Sequence, residues 1–478
     1  MPNRRLRVLQ VSTLDVGGGA EKIAWNLFQN YRLRGIDSWL AVGNKCTDDP
    51  NVLQIMKPNP WSQVWLALER RLQPYQGYGR LISHTRAFLR IVAQPRRELD
   101  IQWGREDFNF PGARRLLELP PHKPDIVHCH NLHGGYFDLR VLPRLSEQRP
   151  LMLTLHDAWL LSGHCGHSFD CDRWKIGCGQ CPDLAIYPAI GRDATAYNWR
   201  RKKNIFSRSR IYLATPSKWL MRKVEQSLLR PYIAESRVIP NGVDLSVFRP
   251  AEKGAARTAL GLSQEAAIVL FAAHRAQTNI YKDYKTLRVA MEEVAQKMTR
   301  PLLFLCLGGD AGIERTGNAE LRSVSYEKNP NIVAQYYQAA DLYVHASRAD
   351  TFPCSVLEAL ACGTPVIASN VGGIPEQIKG WGGLNSKAVD VNRYGANDAT
   401  GALVPTGDPE AIAEGVRSLL RDDSLRHQMS KNASTDVRKR FDVKQQADQY
   451  LQWYTDLTGK ACVTGCSSMR GPLTRGTN

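Results

Sequence analysis

The same alternation is written twice along this chain. "LRVLQVSTLDVGGGAEKIAWNLFQNYRLRGIDSWLAVG" reads as an apolar strand, a glycine-rich turn, an amphipathic helix and a second strand, which makes one βαβ unit. "PDIVHCHN" and "PLMLTLHDAW" add strands that each run into a histidine-bearing loop. "IYLATPSKWL" adds another strand and a helix start, with Ser217 placed as N-cap. "SRVIPNGVDLSVFRP" interrupts with Pro, Asn and Gly, after which "AAIVLFAAHR", "DYKTLRVAMEEVAQKM", "PLLFLCLGGD", "PCSVLEALACG" and "TPVIAS" resume the strand–helix rhythm. The fold class expected is therefore α/β, with two doubly wound, Rossmann-like domains and ligands at the carboxyl ends of their strands. The domains are placed at 1–234 and 235–434. A last amphipathic helix follows at 435–458, and the polar tail 459–478 is expected to be disordered.

Composition narrows the class. At 43% hydrophobic and 23% charged residues the chain is globular. No apolar run approaches the roughly 20 residues that span a bilayer, and "MPNRRLRVLQVS" lacks the pattern of a signal peptide. A cytoplasmic protein is expected, with a peripheral place on the inner membrane face as an option. The net charge of +17 is more than a small-molecule enzyme needs. It concentrates in "NWRRKKNIFSRSR" and in the Arg-rich, aromatic region from Trp61 to Arg97. That region suits helices lying on an anionic membrane and equally helices packed on a domain with their Arg side chains in water. No nucleic-acid motif accompanies the charge, so no nucleic-acid partner is expected.

Of eleven cysteines, four cluster in "GHCGHSFDCDRWKIGCGQCP": Cys165, Cys171, Cys178 and Cys181. In a reducing compartment such a cluster favours a structural zinc, while disulfides and free thiols stay open. His164 and His167 are further ligand candidates.

In "ADTFPCSVLEALACGTPVIAS", Asp350 and Glu358 bracket a helix start near Pro353. The free N–H groups and positive dipole end of that helix suit an anion, and the two carboxylates suit hydroxyls on either side of it. Together they describe a nucleotide-sugar site. Read blandly, Asp350 caps the helix and Glu358 is exposed.

The stretch "SRADTFPCSVLEALACGTPVIASNVGGIPE" resembles the signature of the family 4 retaining glycosyltransferases of the GT-B fold. "GGGAEKIAWNL", "HD" at 156–157, "PSKWL", "PNGVDLSVF" and "YKDY" follow the same family's order over about residues 5 to 455. The cysteine loop is similar to that of a polysaccharide-assembly subset. The resemblance implies a first domain that binds acceptor, a second that binds a nucleotide sugar, and a C-terminal helix crossing back to the first. It implies that Glu358 accepts from the ribose, Asp350 holds the transferred sugar, and His156 contacts that sugar near the reacting carbon. Arg275 and Lys282 would neutralise the diphosphate, with Gly18, Gly19, Gly372 and Gly373 shaping the loops around it. Asn241 and Gly242 would shape the cleft. Catalysis would need no cofactor, and the acceptor would be a glycan or a lipid-linked glycan. A nucleotide-sugar epimerase on the same architecture and a non-catalytic basic adaptor are the alternatives. Three features depart from the family: Asp350 is shorter than the Glu more usual at the first acid, Asp283 stands where Gly is usual, and 379–401 is longer than the usual link, which suits a lid, a partner contact or a disordered loop.

Overall fold

A computed structural model of the chain describes residues 5–55, 60–75, 79–273, 275, 277–384 and 393–459. Two sheets account for its strands. The first contains β1 (Arg7–Leu14), β2 (Asp37–Asn44), β3 (Val52–Gln54), β4 (Ile126–Cys129), β5 (Leu151–Thr154), β6 (Ile211–Thr215) and β7 (Ile233–Val238) in the order β3-β2-β1-β4-β5-β6-β7. Every pairing in it is parallel. The second contains β8 (Ala267–Ala272), β9 (Leu302–Leu307), β10 (Gly312–Thr316), β11 (Ala319–Val324), β12 (Leu342–His345), β13 (Val366–Ser369), β14 (Gly380–Trp381), β15 (Arg393–Tyr394) and β16 (Gly401–Val404). Its order is β10-β11-β9-β8-β12-β13-β16-β14-β15, parallel except for the β10–β11 hairpin. The central strands are buried on both faces, which is why they read as continuous apolar runs such as Leu302–Leu307.

Two boundaries differ from the sequence expectation. β7 pairs with β6, so the first sheet runs past the expected limit of 234 and ends at Val238. Its alternating, half-buried residues are those of an edge strand, which the Pro-Asn-Gly interruption concealed. At the other end, Asp423–Arg440 is one helix against the second domain, and the chain crosses back only at Phe441–Asp442. There Val243 N–H donates to Phe441 O (2.8 Å) and Val443 N–H donates to Val243 O (3.1 Å), so two backbone strands cross side by side. The helix Val443–Thr458 then completes the first domain's core: Ala447, Tyr450, Leu451, Trp453 and Tyr454 pack with Leu6, Val8, Ile23, Leu27 and Met152. The crossover is therefore 441–458, shorter than 435–458. The tail from 460 and the middle of the long link, 385–392, lie outside the described residues. The flanks of that link form β14 and β15, with β15 at the sheet's edge.

The Arg-rich region becomes an antiparallel helical hairpin, Pro60–Arg71 and Arg80–Ala93. Trp61 Nε1 donates to Val92 O (3.2 Å), Ser62 Oγ to Ala93 O (2.6 Å) and Arg86 to Glu69 (2.7 Å).

Candidate active site

The carboxyl ends of the two sheets face each other, and each wall of the cleft is built from loops leaving those strands. On the second-domain wall, β12 ends at His345 and leads through Asp350 into the helix Cys354–Ala361. Pro353 occupies its N-cap and no side chain caps it, so the first-turn N–H groups are left for a ligand. Lys282 Nζ lies 2.5 Å from Asp350 Oδ2 and also reaches His345 Nε2 and Ser347 Oγ, each at 3.2 Å. Burial alone would raise the Asp350 carboxyl, but the Lys282 ammonium and His345 outweigh it and hold Asp350 well below the usual carboxylate range. Burial, with the adjacent Lys282 charge, pushes His345 down to about 4, so it stays neutral and orders the pair. Asp283 serves the fold instead. Its Oδ1 accepts from Thr286 N (3.3 Å) and caps the helix Tyr284–Lys297. A glycine there would supply no such oxygen.

Gly372 and Gly373 do not border the site as a free loop. A Cβ on Gly372 would sit 1.7 Å from Asp350 O, and one on Gly373 would sit 1.9 Å from Thr351 O. They permit the close approach that holds the Asp350 loop in place. Arg275 is exposed, with φ of +50°, and its carbonyl closes a turn with Thr278 N and Asn279 N. Its guanidinium makes no hydrogen bond or ion pair among the described residues.

The first-domain wall is a chain of histidines. His130 Nδ1 is 3.0 Å from His156 Nε2, and His130 Nε2 is 3.0 Å from Gln10 Oε1. His128 is buried between Thr154 (2.7 Å) and the Tyr454 hydroxyl (2.6 Å) of the crossover helix. Burial pushes His156 down to about 4 and His128 to about 3, so both are neutral near pH 7. His133 behaves in the opposite sense. Burial would lower it, but Asp157, at 2.5 Å, raises it. Of these four, His128 and His130 are buried, whereas His133 and His156 are partly exposed.

Several contacts join the walls. Lys22, one turn past the glycines, reaches across to Glu358 Oε1 at 2.5 Å. Burial would lower its pKa, but the Glu358 charge wins and raises it. Gly19 O lies 4.0 Å from Cys354 Sγ, so the Gly18–Gly19 turn sits against the start of the Cys354–Ala361 helix. Thr351 Oγ1 donates to the His156 carbonyl (2.7 Å), and Asn241 Nδ2 donates to Phe352 O (3.2 Å). Glu376 accepts from Lys218 N and Trp219 N, both at 2.8 Å, capping a first-domain helix from the second domain. Thus "PSKWL" and "GGIPE" are two halves of one contact. Glu358 is 6% exposed rather than lying on the surface.

The cysteine loop lies beside His156. Ala158 N donates to Gly166 O and Gly166 N to Tyr187 O, both at 2.8 Å. All four cysteines are free thiols, and among the described residues no three His, Cys, Asp or Glu side chains gather as a metal requires. Cys178 Sγ accepts from Gly163 N (3.3 Å), and Cys181 Sγ is 3.4 Å from His164 Nε2. A zinc ion would have to draw this loop together.

Residues 17–247 match the model of Glycosyltransferase Family 4, and residues 253–436 match that of Glycosyl transferases group 1. A putative colanic acid biosynthesis glycosyl transferase, WcaC of Escherichia coli K12, is 23% identical over 95% of this chain and 100% of its own. A D-inositol 3-phosphate glycosyltransferase of Segniliparus rotundus is 33% identical over 38% of each. Among solved structures, sucrose-phosphate synthase of Thermosynechococcus elongatus superposes with a TM-score of 0.58 at 18% identity, over 96% of this chain and 100% of its own. HepE of Anabaena, solved with UDP and glucose, also gives 0.58, at 14% identity over 95% and 100%.

Proposed function

The chain belongs to the family 4 glycosyl transferases of the GT-B fold, and from that premise we propose that it is a retaining enzyme that moves a sugar from a nucleoside-diphosphate donor to a glycan or lipid-linked acceptor in polysaccharide assembly. One observation carries this most: Lys282, Asp350 and Glu358 surround an uncapped helix start that faces His156 across the cleft. In this reading the diphosphate sits at that helix start, with Lys282 shared between it and Asp350. Glu358 takes the ribose hydroxyls, and Asp350 and His156 take the sugar. The acceptor hydroxyl attacks the anomeric carbon on the face from which the nucleotide departs. As the carbon–oxygen bond to the diphosphate breaks, its electron pair stays on the leaving phosphate, which takes the acceptor's proton. No metal enters this scheme. Arg275 reaches the diphosphate only if its turn folds inward. An epimerase or a non-catalytic adaptor has no observation in its favour.

The helical hairpin supports a membrane-borne acceptor. Trp61, Val64 and Leu68 on one helix and Leu81, Phe88 and Ile91 on the other are exposed, beside exposed Arg70, Arg71, Arg80 and Arg90. Such a surface suits an anionic bilayer face, and no described helix is long and apolar enough to cross one. Binding to anionic vesicles should weaken as salt rises; binding that ignores salt removes this role.

Thermal stability against UDP, GDP, ADP and CMP tests the donor site. A nucleotide at about 100 times its dissociation constant should add roughly 2.7 kcal/mol. No shift with any of the four counts against the reading. The anomeric configuration of the product, seen by NMR, tests retention, and elemental analysis of the purified chain tests zinc in the cysteine loop.

A further inference from the structure

We propose that His167, carried by the cysteine loop, contacts the donor: its Nε2 hydrogen-bonds a hydroxyl of the sugar being transferred. This rests on the donor site proposed above. His167 is 8% exposed, and its Nε2 has no hydrogen-bond partner among the described residues. A buried imidazole nitrogen left unpaired is unfavourable, so its place in the fold asks for a ligand. Its surroundings indicate which one. The ring stacks on Trp219 (5.5 Å between centroids, 24°) and tilts against Tyr281 (6.2 Å), the residue before Lys282. Lys282 in turn pairs with Asp350, the carboxylate assigned to the sugar, so the ring lies beside that part of the second wall.

The loop is built to hold this position. Gly166 is fixed on one side by backbone hydrogen bonds to Ala158 and Tyr187, and Ser168 Oγ on the other accepts from Lys223 Nζ at 3.0 Å. Phe169, next along, adopts φ of +45°, a conformation unfavourable for a non-glycine residue. It lies parallel to Tyr281 at 5.9 Å. The other histidine of the loop is turned away, with His164 facing Cys181 and the Pro188 carbonyl. The loop thus brings one unpaired histidine to the cleft and closes aromatic surface over it.

The test compares wild type, His167→Phe and His167→Gln by calorimetric titration with UDP and UDP-glucose, GDP and GDP-mannose, or ADP and ADP-glucose, using the pair that wild type binds. His167→Phe keeps the stack on Trp219 and removes Nε2. It should leave the nucleoside diphosphate within twofold of wild type and shift the affinity ratio of sugar nucleotide to diphosphate by about tenfold. His167→Gln, which retains a donor, should recover part of that ratio. An unchanged ratio in His167→Phe overturns the proposal. Equal weakening of both ligands also overturns it, because the contact would then be with the diphosphate or the fold. If wild type binds none of the pairs, the donor reading fails first and this inference falls with it.

Discussion

The two walls of the cleft are assembled in opposite ways. On the second-domain side, His345, Ser347, Asp350, the helix start and Glu358 follow one another within one strand–loop–helix unit, and only Lys282 and the Gly372–Gly373 turn come from elsewhere. The first-domain wall draws Gly18 and Lys22, His130, and His156 and His167 from three separate connections of the sheet. A wall made by one local unit is specified by that unit's own capping and charge chemistry. A wall made by several connections exists only once the sheet that orders them has formed.

That contrast sets the largest expected effect. Lys282→Met leaves the buried Asp350 carboxylate without its cation, and it removes the charge assigned to the diphosphate. Transfer should fall by about 10²–10³-fold, and losing one partner of a buried pair should also cost on the order of 3 kcal/mol of stability. Glu358→Gln should abolish transfer at nearly unchanged melting temperature. Steady-state kinetics and thermal melts check both, and wild-type turnover in either variant would remove that residue from the site.

Acid should separate the walls. His128 and His156, held at about 3 and about 4 chiefly by burial, are neutral in the fold, whereas the unfolded chain takes protons near 6.5. Stability from these groups is present above 6.5 and is lost as pH falls toward 4. Asp350 is depressed, so its contribution holds above the unfolded carboxyl value near 4 and disappears only below it. His345, held at about 4, adds one such group to the second wall, against His128, His156 and the deeply lowered His130 on the first. The His133–Asp157 pair opposes the trend, since a raised histidine loses its contribution as pH rises. Hydrogen exchange at pH 7 and pH 5 should show β4 and β5 loosening before the Asp350 loop. Simultaneous loosening would deny the walls their independence.

Legibility in the sequence follows the same division. The two arrays of strands and the Asp350–Glu358 pair around a helix start can be read because local pattern and spacing carry them, whereas Lys282 enters only through the resemblance to the family. The limit at 234 fails because an edge strand such as β7 alternates weakly and begins beside a Pro-Asn-Gly break. Lys22, Thr351 and Glu376 escape a reading along the chain because their partners lie 336, 195 and 158 positions away. No local pattern marks a charge whose meaning depends on how two domains meet. His167 is masked by the cysteines around it, whose spacing suggests a metal.

The smallest effect expected tests the joint itself. Lys22 and Glu358 touch only if the walls close as seen, but the Lys22 side chain is a third exposed, so water screens the pair. A double-mutant cycle of Lys22→Met and Glu358→Gln on the ligand-free protein should therefore give a coupling of roughly 0.5–1 kcal/mol rather than the several expected for a buried pair. Ribose hydroxyls that engage Glu358 compete with Lys22 for the same carboxylate, so saturating nucleotide should reduce the coupling. Coupling that nucleotide leaves untouched would place the ribose elsewhere on the second wall, and no coupling in the free protein would mean that the walls meet through Thr351, Asn241 and Glu376 without this ion pair.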